Sequence, residues 1–140
     1  QLAALFLIAA TWVGCKSSSY TPDTFTKNQL IFGTGGGFAG TVDTYFLLEN
    51  GQLFHQPSLE SEMSAVSTLD KKTAKAFFAE AEEIDLPTRR LDVPGNMYAF
   101  LEWRTPEGSN RLVWDTCGEK AAPELKELHA KLMELAAPVR

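Results

Sequence analysis

The hydrophobic positions of this chain begin with an apolar run from Leu2 to Val13, closed by Gly14 and Cys15 and followed by the polar tract Lys16-Ser17-Ser18-Ser19. About a dozen apolar residues are too few to cross a bilayer as a helix, which needs roughly 20, but they fit the core of a signal peptide. Residues 16–28 (KSSSYTPDTFTKN) lack a usable hydrophobic period and read as a flexible tether. From residue 29 onward, periods of two and of about 3.6 replace one another, as strands and helices require.

Leu30 to Phe32 is a short apolar run stopped by glycines, and Thr41 to Glu49 is a β-branched and aromatic strand. The dipeptide Asn50-Gly51 predicts a type I′ turn, so this strand should pair with Gln52 to Gln56 as a hairpin. Asp70 is placed to cap a helix from Lys71 to about Asp85, whose residues Ala74, Phe77, Phe78, Ala81 and Ile84 share one face. Pro87 ends it. Met97 to Arg104 and Arg111 to Asp115 form a second hairpin around Thr105-Pro106-Glu107-Gly108. Pro123 suits the first turn of a last helix, with an apolar stripe of Leu125, Leu128, Leu132 and Leu135 and an outer pair of Glu127 and Lys131. The order β-β-β-α-β-β-α predicts an α+β fold: an antiparallel sheet of about five strands with two helices packed on one face, in a single domain over 29–140.

A small residue directly before a cysteine, at the end of an apolar core, is the arrangement in which a bacterial lipoprotein leader is removed and the cysteine acylated. Residues 1–14 then read as signal peptide, Cys15 as the lipid-bearing first residue, and 15–28 as lipidated cysteine plus tether. Trp12 departs from the leucine usual three residues before the cysteine. No Met or basic residue precedes the run, so this reading puts the basic n-region ahead of Gln1. The alternatives are a cleaved leader on a soluble protein and an ordinary buried helix; the abrupt polarity change at Lys16 argues against the second. The expected location is the bacterial cell envelope, lipid-anchored, facing the periplasm or the cell surface.

The net charge of −5 disfavours nucleic acid and anionic membrane surfaces as partners, since no basic stripe is visible along the chain. With Cys15 acylated, Cys117 is a lone thiol and the fold needs no disulfide; a different leader removal leaves a Cys15 to Cys117 bridge open.

The segment Gly33-Thr34-Gly35-Gly36-Gly37-Phe38-Ala39-Gly40 formally satisfies the dinucleotide pattern through Gly35, Gly37 and Gly40. In that fold the glycines open a helix whose N-terminus holds the pyrophosphate. Here a strand follows, and no Lys-Ser/Thr of a Walker loop appears, so no nucleotide is expected. Two readings remain: the glycines permit a bend or close strand contact, or they present Phe38 as a contact with another protein. His55 and His129 have no metal-ligand spacing, and His129 is expected to flank the stripe of the last helix. Cys117, His129 and Asp115 can be written as nucleophile, base and orienter, a combination any chain with one of each permits. Glu80, Glu82 and Glu83 read as a solvated helix face, and Trp103 and Trp114 as packing residues of the second hairpin with a lesser prospect as surface anchors. No metal and no cofactor is expected.

Gly36-Gly37-Phe38-Ala39-Gly40, the strand with Tyr45, the aromatic strand Tyr98 to Trp103, then Arg111 to Asp115 and the helix introduced by Pro123 together resemble the emfourin-type inhibitors of thermolysin-like metalloproteases. The likeness covers about residues 30–136. It implies a non-enzymatic protein that occludes a protease cleft stoichiometrically, with Gly36, Gly37 and Phe38 as contact residues. The chain departs from that pattern in its leader, in the insert Pro57 to Thr68 and in the loop Thr88 to Asn96. The fuller string GTGGGFAG, with Leu47-Leu48-Glu49-Asn50-Gly51 and Pro94-Gly95-Asn96-Met97-Tyr98, is similar to Bacteroidota-type lipoproteins that carry no activity to transfer. Two functions are therefore expected of the residues: a lipid-anchored binding module whose partner is a protease or envelope component, or a structural envelope lipoprotein. A thiol or hydrolytic enzyme built on Cys117 and His129 is the third.

Overall fold

The computed structural model describes residues 19–137; the apolar run and Cys15 lie outside them. The described chain is α+β and runs β1 (Gln29–Gly36), β2 (Thr41–Leu48), β3 (Gln52–Gln56), β4 (Ser64–Thr68), α1 (Lys71–Glu83), β5 (Asp92–Val93), β6 (Met97–Thr105), β7 (Gly108–Asp115) and α2 (Pro123–Ala136). The strands form one sheet in the order β4-β3-β2-β1-β6-β7-β5. All neighbours are antiparallel except β5 on β7, so the sheet has seven strands and is mixed, where about five antiparallel strands were expected. The two additional strands, β4 and β5, lie within Pro57 to Thr68 and Thr88 to Asn96. Every residue of β4 is exposed and β5 is two residues long, so neither carries a hydrophobic alternation to read.

The β1 strand is central and its side chains alternate between two cores. Leu30 and Phe32 join Leu47, Leu101, Trp103 and Leu112 beneath Phe78 of α1 and Leu125, Leu128 and Leu132 of α2, which puts both helices on one face. Ile31 faces the other way, with Phe46, Leu48, Phe54 and Phe100, and this second cluster is closed by Phe25 and Met63. Part of the stretch read as tether is thus packed: Phe25 covers the sheet, Tyr20 meets it edge-on at 5.5 Å, and the Gln29 side chain donates to the Pro22 carbonyl at 2.8 Å.

Local chemistry accounts for most boundaries. Asp70 accepts from the Thr73 amide at 2.9 Å and caps α1. The helix ends two residues before the expected Asp85, because Asp85 turns left-handed (φ 60) and the Asp85 and Leu86 amides bond back to Glu82 and Ala81. The β2–β3 hairpin forms as expected, but not through a type I′ turn. Asn50 keeps a negative φ, Gly51 alone is left-handed, and the Gly51 amide donates to the Leu48 carbonyl at 2.9 Å. That is the three-residue loop ending in a left-handed glycine. In α2, Pro123 stands at the start, Lys131 pairs with Glu127 at 3.3 Å and reaches Glu80 of α1 at 2.9 Å.

Candidate functional site

The glycine-rich segment is the end of β1 and the tight connection to β2. Its spacing follows from the sheet. Gly33 is paired with Phe100 and Gly35 with Tyr98 on β6, and both aromatic rings lie across the glycine opposite. A Cβ on Gly35 falls 2.5 Å from the Tyr98 ring, and one on Gly33 collides with the Asp43 backbone carbonyl of β2 and falls 3.0 Å from the Phe100 ring. Glycines two apart therefore leave a groove on one face of β1 that two rings of β6 fill, a way of restoring buried area where a strand has no side chain. Gly36 (φ 92) and Gly37 (φ 78) then take backbone conformations that other residues adopt only with strain, and these reverse the chain.

What the reversal delivers is Phe38. Its side chain is fully exposed, 111% of a reference residue, in a domain whose other phenylalanines among the described residues are buried or half-buried. The tip is held, since the Gly37 amide donates to the Asn96 carbonyl at 2.8 Å and the Gly40 amide to Gly37 at 3.1 Å. Met97, 43% exposed, stands beside it, its sulfur 3.0 Å from where a Cβ on Gly37 would sit. The Thr116 amide and hydroxyl both donate to the Met97 carbonyl, at 3.0 and 3.2 Å, so the turn after β7 closes onto the same end. Three connections thus meet there: the β1–β2 tip, Pro94 to Asn96, and Thr116 to Lys120. Between the last two is a cleft of about 330 Å³ lined by Val93, Pro94, Trp114 and Asp115.

Gly36, Gly37 and Phe38, contiguous in the chain, stand at this pole. Met97 was not singled out from the sequence; its only signal was its place in the string Pro94 to Tyr98. Cys15 lies outside the described residues. Cys117 is an exposed free thiol at the same pole, and its amide donates to the Asp115 carboxylate at 2.9 Å, so Asp115 caps a turn. His129 is engaged elsewhere: its Nε2 lies 2.9 Å from the Gly33 carbonyl and its ring meets Trp114 edge-on at 5.4 Å. Because a carbonyl only accepts, Nε2 carries a proton. Burial holds the His129 pKa below its ordinary value, opposed by that hydrogen bond. Among the described residues no hydrogen bond joins Cys117, His129 and Asp115 as nucleophile, base and orienter. Trp103 and Trp114 are core residues, 6% and 3% exposed.

Two further polar groups have defined settings. Asp43 and His55 pair at 2.5 Å across β2 and β3, with His55 stacked on Tyr45 at 4.3 Å. Burial raises the Tyr45 pKa, helped by the Asp43 charge. On the opposite sheet face Glu102, 6% exposed, is held by Arg104 at 3.1 Å and Arg111 at 3.4 Å, and the Arg111 guanidinium lies 3.8 Å above the Phe100 ring. Among the described residues no group of three His, Cys, Asp or Glu is placed to hold a metal ion, and no helix is long and apolar enough to cross a membrane. No protein-family model matches the chain, and comparison with curated proteins finds no significant match.

Proposed function

We propose that the protein is a lipid-anchored, non-enzymatic binding module of the bacterial cell envelope, and that the pole carrying Phe38 and Met97 is its contact surface. One observation carries this reading: a phenylalanine is held in full exposure on a tip whose backbone is tied to its neighbours by hydrogen bonds. A large apolar side chain in water gains free energy only when something covers it, and a preordered tip loses little entropy in being covered. The sharpest form of the reading is stoichiometric inhibition of a protease, in which the tip occupies a cleft without being turned over. The test is inhibition of a panel of proteases, thermolysin-like metalloenzymes included, at equimolar and excess protein. Tight stoichiometric inhibition of one class supports it. A folded protein that inhibits none removes the inhibitor form, and crosslinking in the envelope then seeks another partner.

The second reading, a structural envelope lipoprotein, is favoured by the Tyr98 ring over Gly35 and by the Asp43 backbone and Phe100 ring against Gly33, since packing alone then accounts for those two glycines. It leaves Phe38 without a role. An enzyme using Cys117 and His129 is disfavoured by the engagement of His129 with Gly33, and an unchanged cellular phenotype of the Cys117→Ser, His129→Ala double variant removes it. Both non-enzymatic readings share Cys15, whose acylation is tested by palmitate incorporation and its loss in Cys15→Ser.

A further inference from the structure

Lysines distant in sequence meet at the pole opposite Phe38. A groove of about 490 Å³ runs between the segment before β1 and the start of α1, lined by Tyr20, Phe25, Lys27, Lys71 and Lys75 together with Glu49. The segment is fixed there: the Asn28 amide donates to the Glu49 carboxylate at 3.3 Å and the Tyr20 amide to Gln52 at 3.3 Å. Lys71 and Lys75 are one helical turn apart, on one side of α1. Among the described residues none of the three lysines has an acidic partner within 4.0 Å, unlike Lys131. Lys71 also stands in the first turn of α1, where the helix dipole favours acids, so helix stability does not account for it. The chain-order view of an acidic protein without a basic stripe misses this patch because residues 27, 71 and 75 become neighbours only in the fold.

Covalent reach ties the patch to the expected anchor. Four residues separate Cys15 from Tyr20, and the five steps along the chain span at most about 18 Å when fully extended. A lipid on Cys15 therefore keeps this pole near the bilayer. The same strand that begins here ends at the other pole: β1 runs from Gln29 to Gly36, a rise of about 23 Å.

We propose that the lysine groove seats on the anionic headgroups of the membrane that holds Cys15, so that the domain stands with Phe38 directed away from the bilayer. The proposal rests on the lipid-anchored reading. Charge complementarity selects the occupant, because three unpaired ammonium groups around an aromatic floor match a phosphate-bearing interface, and Tyr20, exposed at the rim, is a residue type that favours that depth.

The test uses the full chain, purified with its lipid from a bacterium that processes lipoproteins and added to preformed vesicles. One set is phosphatidylcholine alone and the other contains phosphatidylglycerol. Amine-reactive labelling read by mass spectrometry reports each lysine. Lys27, Lys71 and Lys75 are expected to label several-fold more slowly on the anionic vesicles, with the difference abolished by high salt, while Lys120 at the far pole is unchanged. In the exposed double variant Lys71→Glu, Lys75→Glu, the protection of Lys27 is expected to disappear. Equal labelling on both vesicle types, or Lys27 protected equally in the variant, overturns the proposal and leaves the anchor standing. An intact mass without lipid on Cys15 overturns the anchored reading, and the proposal with it.

Discussion

The phenol ring of Tyr98 lies over Gly35, its direct partner across β1 and β6, so closely that a methyl group added to the glycine falls 2.5 Å from the ring. The glycine and the ring therefore form one packing unit. Gly35→Ala is expected to lower stability by about 1–3 kcal/mol, since overpacking forces the ring off its rotamer or the strands apart. Tyr98→Ala alone removes the cover, but in combination it makes room for the methyl. Urea unfolding of the two single variants and the double should show a loss smaller than the sum, by about 1 kcal/mol.

Phe38 presents the opposite case. It is fully exposed, so Phe38→Ala should change stability by less than about 0.5 kcal/mol while weakening any partner. As an anchor residue its truncation is expected to cost about 2 kcal/mol of binding, roughly thirtyfold in inhibition or affinity. An unchanged inhibition constant, measured against a protease that the parent inhibits, counts against the tip as contact surface.

His129 gives the domain a pH dependence whose sign is fixed by burial. Its folded pKa is depressed below 6.5, so on acidification the unfolded chain takes up the proton first. The stability it contributes is complete above about 6.5 and declines as the pH falls from there towards the folded value, with a slope of at most about 1.4 kcal/mol per pH unit for one proton. His129→Gln removes the titration and keeps an N–H for the Gly33 carbonyl. Denaturant unfolding at pH 7.5 and pH 5.5 should show a smaller acid loss in the variant, and an identical loss argues against this assignment.

Glu102 is buried between two arginines that are each more than a third exposed. Glu102→Gln keeps the volume and removes the charge. The expected loss is about 1 kcal/mol, below the 3–5 of a fully buried pair, because both guanidiniums retain water on their outer sides. The loss should shrink in high salt, which chemical unfolding at two ionic strengths measures.

Legibility followed burial. Helices α1 and α2 were readable in outline because their apolar residues recur with the helical period beside a capping aspartate and an N-terminal proline. The β2–β3 pairing was readable, although its turn type was not, since Asn50-Gly51 is compatible both with a two-residue loop, in which Asn50 has positive φ, and with the three-residue loop Glu49 to Gly51, in which only Gly51 does. Strand β4 was invisible: Ser64 to Thr68 has no buried face and becomes a strand only because β3 offers it an edge. Of the candidate contact site, Gly36, Gly37 and Phe38 are contiguous and stood out as a motif, whereas Met97 joins them through the β1–β6 register alone.

The sequence by itself determined what depends on neighbours along the chain: the helical periods, the Asp70 cap, the hairpin positions and the turn glycines. Only the tertiary structure decided that Tyr98 and Phe100 fill the faces of Gly35 and Gly33, that His129 reaches Gly33, and that Lys27, Lys71 and Lys75 share one pole while Phe38 stands at the other. The reason is physical. Strand order and register set which distant residues become neighbours, and both are selected by burying two sheet faces at once, a property of the whole chain that no short window of residues contains.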